Sequence, residues 1–131
     1  MQAVSAILVD ASGHRLETVR QTWHDFGTRA LDPDPLVYHE AHLAFHRSIW
    51  AASENCLLMR LWPVTEAHIT IALLHDQYTR ADPARAHAVH AALIAAFETR
   101  DLEQIRAAFT VHTIGSAREL VALMAQRRAA T

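Results

Sequence analysis

Apolar residues recur along this chain at helical spacing and never alternate over a useful length. Leu102, Ile105 and Phe109 share a stripe with His112. Val89, Leu93 and Phe97 form another, with His90 at its border, and Phe45 and Ile49 share a face with His42 and His46. Apolar positions three and four apart fall on one side of a helix, so each stripe predicts an amphipathic helix turned toward a core. Turn-forming residues divide the pattern at Asp10-Ala11-Ser12-Gly13, Asp32-Pro33-Asp34-Pro35, Ala81-Asp82-Pro83 and Arg100-Asp101. Asp34 and Asp82 are placed to cap helices whose first turns hold a proline. Asp101 with Gln104 resembles a capping box. Six helical stretches follow: Ala3–Val9, Arg15–Leu31, Leu36–Ala52, Leu57–Arg80, Pro83–Thr99 and Leu102–Arg127. Trp62-Pro63 predicts a kink or a break within the fourth. The expectation is an all-α fold, an antiparallel bundle of about six helices with short loops, forming one domain over residues 1–131.

Composition narrows the function classes. A net charge of -2 lacks the basic excess of a nucleic-acid-binding surface. The single cysteine, Cys56, excludes an intramolecular disulfide and suits a reducing compartment. The N-terminus lacks the charged start and long apolar run of a signal peptide. No segment is expected to approach the length of an apolar spanning helix. These features predict a cytoplasmic protein with neither membrane nor nucleic acid as a direct partner. The outlying feature is ten histidines against three glycines, and no phosphate loop, cysteine pair or nucleophile motif competes with it.

His42 and His46 are four apart, so a helix stacks them one turn above each other on one face. A histidine on a core-facing stripe must find a hydrogen-bond partner or cost about 1–3 kcal/mol. One metal ion held by His42, His46, His90 and His112 would satisfy all four rings, since the neutral imidazole is the ligating form. The bland alternative is polar residues on a partly solvated face. His39 lies one turn before His42 on the same face, as a ligand-contact or surface residue. His68 and His75 are seven apart on one helix face, facing either a cavity or solvent. His87 is expected near the surface, His14 and His24 at the periphery, and Trp50 and Trp62 in the core.

Longer runs carry a resemblance. Glu40-Ala41-His42-Leu43-Ala44-Phe45-His46-Arg47-Ser48-Ile49 resembles the D-x-x-F-H segment of the FCD domain, the C-terminal effector-binding domain of FadR-type regulators in the GntR superfamily. Ala52-Ser53-Glu54-Asn55-Cys56-Leu57-Leu58 is similar to that family's A-S-G-N-x-x-L stretch, and His90-Ala91-Ala92-Leu93-Ile94-Ala95-Ala96 to its H-x-x-I-x-x-A segment. Asp101 falls at its G-D turn and His112 at the histidine ending its last motif. The resemblance implies a helical bundle whose cavity binds a divalent metal through His42, His46, His90 and His112, beside a small carboxylate effector. His42 stands where the family usually has aspartate. The family's winged helix and most of its first domain helix have no counterpart in these residues.

All-nitrogen ligation favours a transition metal over magnesium or calcium. Zinc is the first expectation, with nickel, cobalt, iron, copper and manganese as alternatives. A neutral ligand set leaves the ion's full charge to attract an anion. One reading is thus a metal-dependent domain that binds a small anion or carboxylate, acts as a homodimer and needs another module to reach DNA. The second is a standalone metalloenzyme, an isomerase, lyase, cyclase or hydrolase, with His39, Glu40, His68 or His75 as acid or base. The third is a structural helical oligomer with satisfied core histidines.

Overall fold

The computed structural model describes every residue except Leu31, Pro33, Arg80, Ala81 and Thr131, and not the Pro83 side chain. The turns expected at residues 32–35 and 81–83 therefore lie partly outside the described residues. The elements are α1 (Gln2–Val9), α2 (His14–Arg29), α3 (Pro35–Ala51), α4 (Cys56–Thr79), α5 (Pro83–Thr99), α6 (Leu102–Thr110), a π-helical segment (Val111–Gly115) and α7 (Ser116–Ala129). There is no strand among the described residues, so the all-α expectation holds.

Short polar side chains start the helices. Asp34 accepts from the Leu36 N–H at 2.8 Å, and Asp82 accepts from the Arg85 N–H at 2.9 Å. Asn55 Oδ1 takes the N–H groups of Leu57 and Leu58, at 2.9 and 3.2 Å, where α4 begins. Asp101 accepts from Glu103 and Gln104, and the Gln104 side chain donates back to its carboxylate at 3.0 Å. Each satisfies donors that a helix start leaves open.

The core lies between α2, α3, α5 and α6. Val19 and Phe26 of α2, Phe45 of α3, Leu93 and Phe97 of α5 and Ile105 of α6 are fully buried. A wholly buried side chain of this kind contributes about 1.5–3 kcal/mol. α1 closes one side with Val4 and Ile7, and Arg100 ties it down by donating to the Leu8 carbonyl at 2.7 Å. Among the described residues, α4 packs on α3 and α7.

Three expectations need correction. Of the kink or break expected at Trp62-Pro63, the break does not occur: α4 runs through Pro63 as one helix. Pro63 is exposed, while Trp62 beside it is buried with its ring 5.7 Å from Trp50. This anchoring on α3 holds a helix that an interior proline destabilises. The last stretch is helical throughout but contains the π turn at Val111–Gly115. Finally, α4 is long and apolar enough to cross a membrane by length and composition alone, which the sequence reading did not anticipate. Most of it is exposed, and it packs along one side against α3 and α7.

Candidate metal centre

Two helices and the π turn deliver the histidines. His42 and His46 project from α3 into the core, at 4% and 8% exposure, and His90 from α5 at 3%. Nitrogen atoms of these three lie within 4.8 Å of one another. His112 arrives from the π turn, with its Nε2 3.2 Å from His46 Nε2. His46 Nε2 is also 3.1 Å from His90 Nε2. Ring centroids are 4.6 Å apart for His42 and His90, and 4.5 Å for His90 and His112. The four expected residues therefore meet.

Aromatic rings wall the cluster on the α2 side. Phe26 is 5.1 Å from the His90 ring and 5.8 Å from His42, and Phe45 is 5.3 Å from His46. An apolar wall keeps the imidazoles neutral. Burial first, then the neighbouring His90, His112 and His39, holds His42 well below the ordinary histidine range. Burial does the same for His46, helped by His42, His90 and His112. His90 is pushed down to about 3 and His112 to about 4, in both cases mainly by burial. Next in order after burial, His112 acts on His90, and the Arg85 guanidinium acts on His112.

Protons cannot satisfy this arrangement. His90 Nδ1 lies 2.6 Å from the Ala86 carbonyl, which can only accept, so the ring's proton is on Nδ1 and its Nε2 is a bare lone pair. If His46 donates from Nε2 toward His90, the His112 proton must sit on Nδ1, which is buried without a partner. If His112 donates from Nε2 to His46, two lone pairs face each other between His46 and His90. His42 Nδ1 is buried without a partner in either case. Each orphan costs about 1–3 kcal/mol. Nitrogens about 2.0–2.1 Å from one ion stand roughly 3 Å apart. The residues thus fit a metal: neutral rings, converging lone pairs and a tautomer of His90 fixed by its backbone partner.

The remaining candidates are spread out. His39 Nε2 is 3.3 Å from Thr70 Oγ1, and its charge is felt at His42. His68 and His75 are exposed on α4, with His68 Nδ1 2.7 Å from the Val64 carbonyl. Glu40 pairs with Arg29 at 3.3 Å. It also lines a cavity of about 490 Å³ between α3 and α4, together with Leu43, Arg47, Ser48, Trp62 and Glu66. None of the four clustered histidines lines that cavity. The histidines pack against one another because α3 turns them one way and the cavity-lining residues the other. His87 is exposed as expected, with its ring 5.0 Å from Trp23.

Sequence reasoning missed Arg85, the cation that bears on His112 while pairing with Glu119 of α7. Its signal was weak, since a lone arginine one turn before Val89 reads as an ordinary solvated charge at the start of a helix.

A family model, the FCD domain, matches residues 1–115, and the chain belongs to that family. Domains of this family bind small-molecule effectors within regulators. No curated protein and no solved structure matches the chain.

Proposed function

We propose that this chain is a metal-dependent effector-binding domain, in which His42, His46, His90 and His112 hold one divalent transition metal and a small anion or carboxylate binds beside it. The observation that carries this reading is the convergence of the Nε2 atoms of His46, His90 and His112, 3.1–3.2 Å apart at His46, in an arrangement that no distribution of protons satisfies. Zinc is the first choice, because nitrogen donors select the transition series.

A bound ion supplies positive charge that four neutral imidazoles leave uncancelled, and this favours an anionic ligand over a neutral one. The protein residues do the rest. Phe26 and Phe45 exclude water from one side, and the Ala86 carbonyl fixes His90 so that Nε2 faces inward. Arg85 adds a further positive charge near His112. In this reading the protein works in the cytoplasm as a homodimer, and any contact with DNA belongs to another module. An enzyme would need an acid or base beside the cluster. His68 and His75 are exposed on α4 and Glu40 is engaged by Arg29, which leaves only His39 near it. Ligand binding is the better-supported use of the site.

The test is elemental analysis of protein purified without an affinity tag. Close to one equivalent of a transition metal is expected. His46→Ala and His90→Ala should each lose most of it, while His68→Ala and His75→Ala keep it. Full occupancy in both of the first two variants overturns the assignment.

A further inference from the structure

α3 has a second face with chemistry of its own. Ala44, Arg47 and Ala51 stand on the side of α3 away from His42 and His46. With Met59, Trp62 and Glu66 of α4 they line the cavity of about 490 Å³. The alanines make the room, since along the middle of that stripe α3 offers α4 little more than methyl groups. Small-molecule sites take about 300–1,000 Å³. Trp62, buried at 3% exposure, forms the inner wall, and Arg47 is exposed at the mouth.

The charges around this space are not all answered within the protein. Glu40, on the same stripe, is engaged by Arg29. The Ser48 hydroxyl is spent as well: it donates to the Phe45 carbonyl and accepts from Thr22, both at 2.7 Å. Arg47 and Glu66 remain. Neither has an ion pair or a side-chain hydrogen bond among the described residues. Two contacts set the antiparallel register of α4 on α3, Trp62 against Trp50 and Thr70 against His39. That register puts Glu66 across from Ala44, within about one helical turn, roughly 5 Å, of Arg47 along the axis. One open cation and one open anion therefore line a single space, on opposite walls, with Leu43, Met59 and Trp62 as its apolar lining.

We propose that this cavity is a second ligand site, separate from the histidine cluster, and that it takes a free α-amino acid with a large apolar side chain. Arg47 holds the carboxylate through two parallel N–H donors. Glu66 accepts from the ammonium group. The side chain lies against Leu43, Met59 and Trp62. A simple anion would answer Arg47 and be repelled by Glu66, and a simple cation would do the reverse. Opposite charges on neighbouring carbons answer both at once.

The test must separate this site from the metal, because an amino acid can also chelate an ion. L-phenylalanine and L-leucine are titrated by calorimetry into the full chain, as purified and again after metal is removed with EDTA. One site per chain is expected, with equal affinity before and after removal and a change in tryptophan fluorescence. N-acetyl-L-phenylalanine and phenethylamine each lack one charge and should bind at least tenfold more weakly than L-phenylalanine. Arg47→Gln and Glu66→Gln should each weaken L-phenylalanine at least tenfold. Ala44→Leu fills the space and should abolish binding, with circular dichroism and metal content unchanged. Binding that disappears with the metal, or that survives Ala44→Leu and Arg47→Gln in the protein as purified, places the ligand at the histidines; it overturns the cavity site and leaves the metal reading intact. No binding of either amino acid, or equal binding of the singly charged analogues, overturns the proposal outright.

Discussion

α3 and α4 are consecutive helices that invert the usual rule of burial in opposite directions. α3 buries polar side chains, placing His42 and His46 in the core among Phe26 and Phe45. α4 leaves leucine, valine and isoleucine exposed along its length and buries only Trp62 and Thr79. Buried polar groups and large exposed apolar patches are the informative departures in a folded protein. α3 turns imidazole lone pairs toward one another, and α4 turns hydrocarbon toward solvent. The two departures are chemically unrelated, so the two helices can be perturbed separately.

The strongest blow to the α3 side is Phe26→Ala. This ring is wholly buried and touches His42, His90, Tyr38 and Phe45. The cost should be about 3–5 kcal/mol by urea denaturation. A loss below about 1 kcal/mol, the level of an ordinary surface change, would mean that the aromatic wall does not organise the cluster.

Acid should act on α3 next. In metal-free protein, His90 at about 3 and His112 at about 4 lie below the ordinary 6.5, so between those values the unfolded chain binds protons that the folded chain refuses. Stability is therefore complete above about pH 6.5 and falls as the pH drops toward the folded values. Each imidazole should cost on the order of 2 kcal/mol by pH 5. Urea midpoints across that range check the sign, and a midpoint that rises on acidification contradicts it.

The mildest test falls on α4. Asn55→Ala removes the acceptor for Leu57 and Leu58 and should cost about 1 kcal/mol. It also frays the first turn of α4 at Leu57. Thermal melting of parent and variant checks this, and an unchanged midpoint would mean that the cap does not hold the start of α4.

Much of the α3 side was legible in the sequence, and little of the α4 side was. The helical stripes, the caps at Asp34, Asp82 and Asp101 and the range of α5 follow from spacing and turn chemistry. The four histidines could be grouped because they sat on core-facing stripes or at helical spacing. α4 was harder to read because its apolar residues occupy both the face it buries and the face it exposes, so no single stripe stands out. Pro63 suggested an interruption that packing at Trp62 overrides. Arg85 reaches the cluster only through the placement of α5 against the π turn, which no local pattern announces.

At the π turn, Val111–Gly115, the chain carries one residue more than a plain helix would take, and it does so at His112. An α-helix advances about 100° per residue, and a π turn absorbs one residue beyond the regular count. Deleting the surplus residue would restore a plain helix with α7 still in phase, whereas a regular α-helix that kept every residue would swing α7 by roughly that angle about the common axis. The face of α7 that packs on α4 would then point elsewhere, and Glu119 would leave Arg85. Replacing a residue is a smaller matter: a Cβ added at Gly115 meets nothing nearer than 3.9 Å. The segment is a spacer that takes up one residue and so keeps the last helix in phase with the rest.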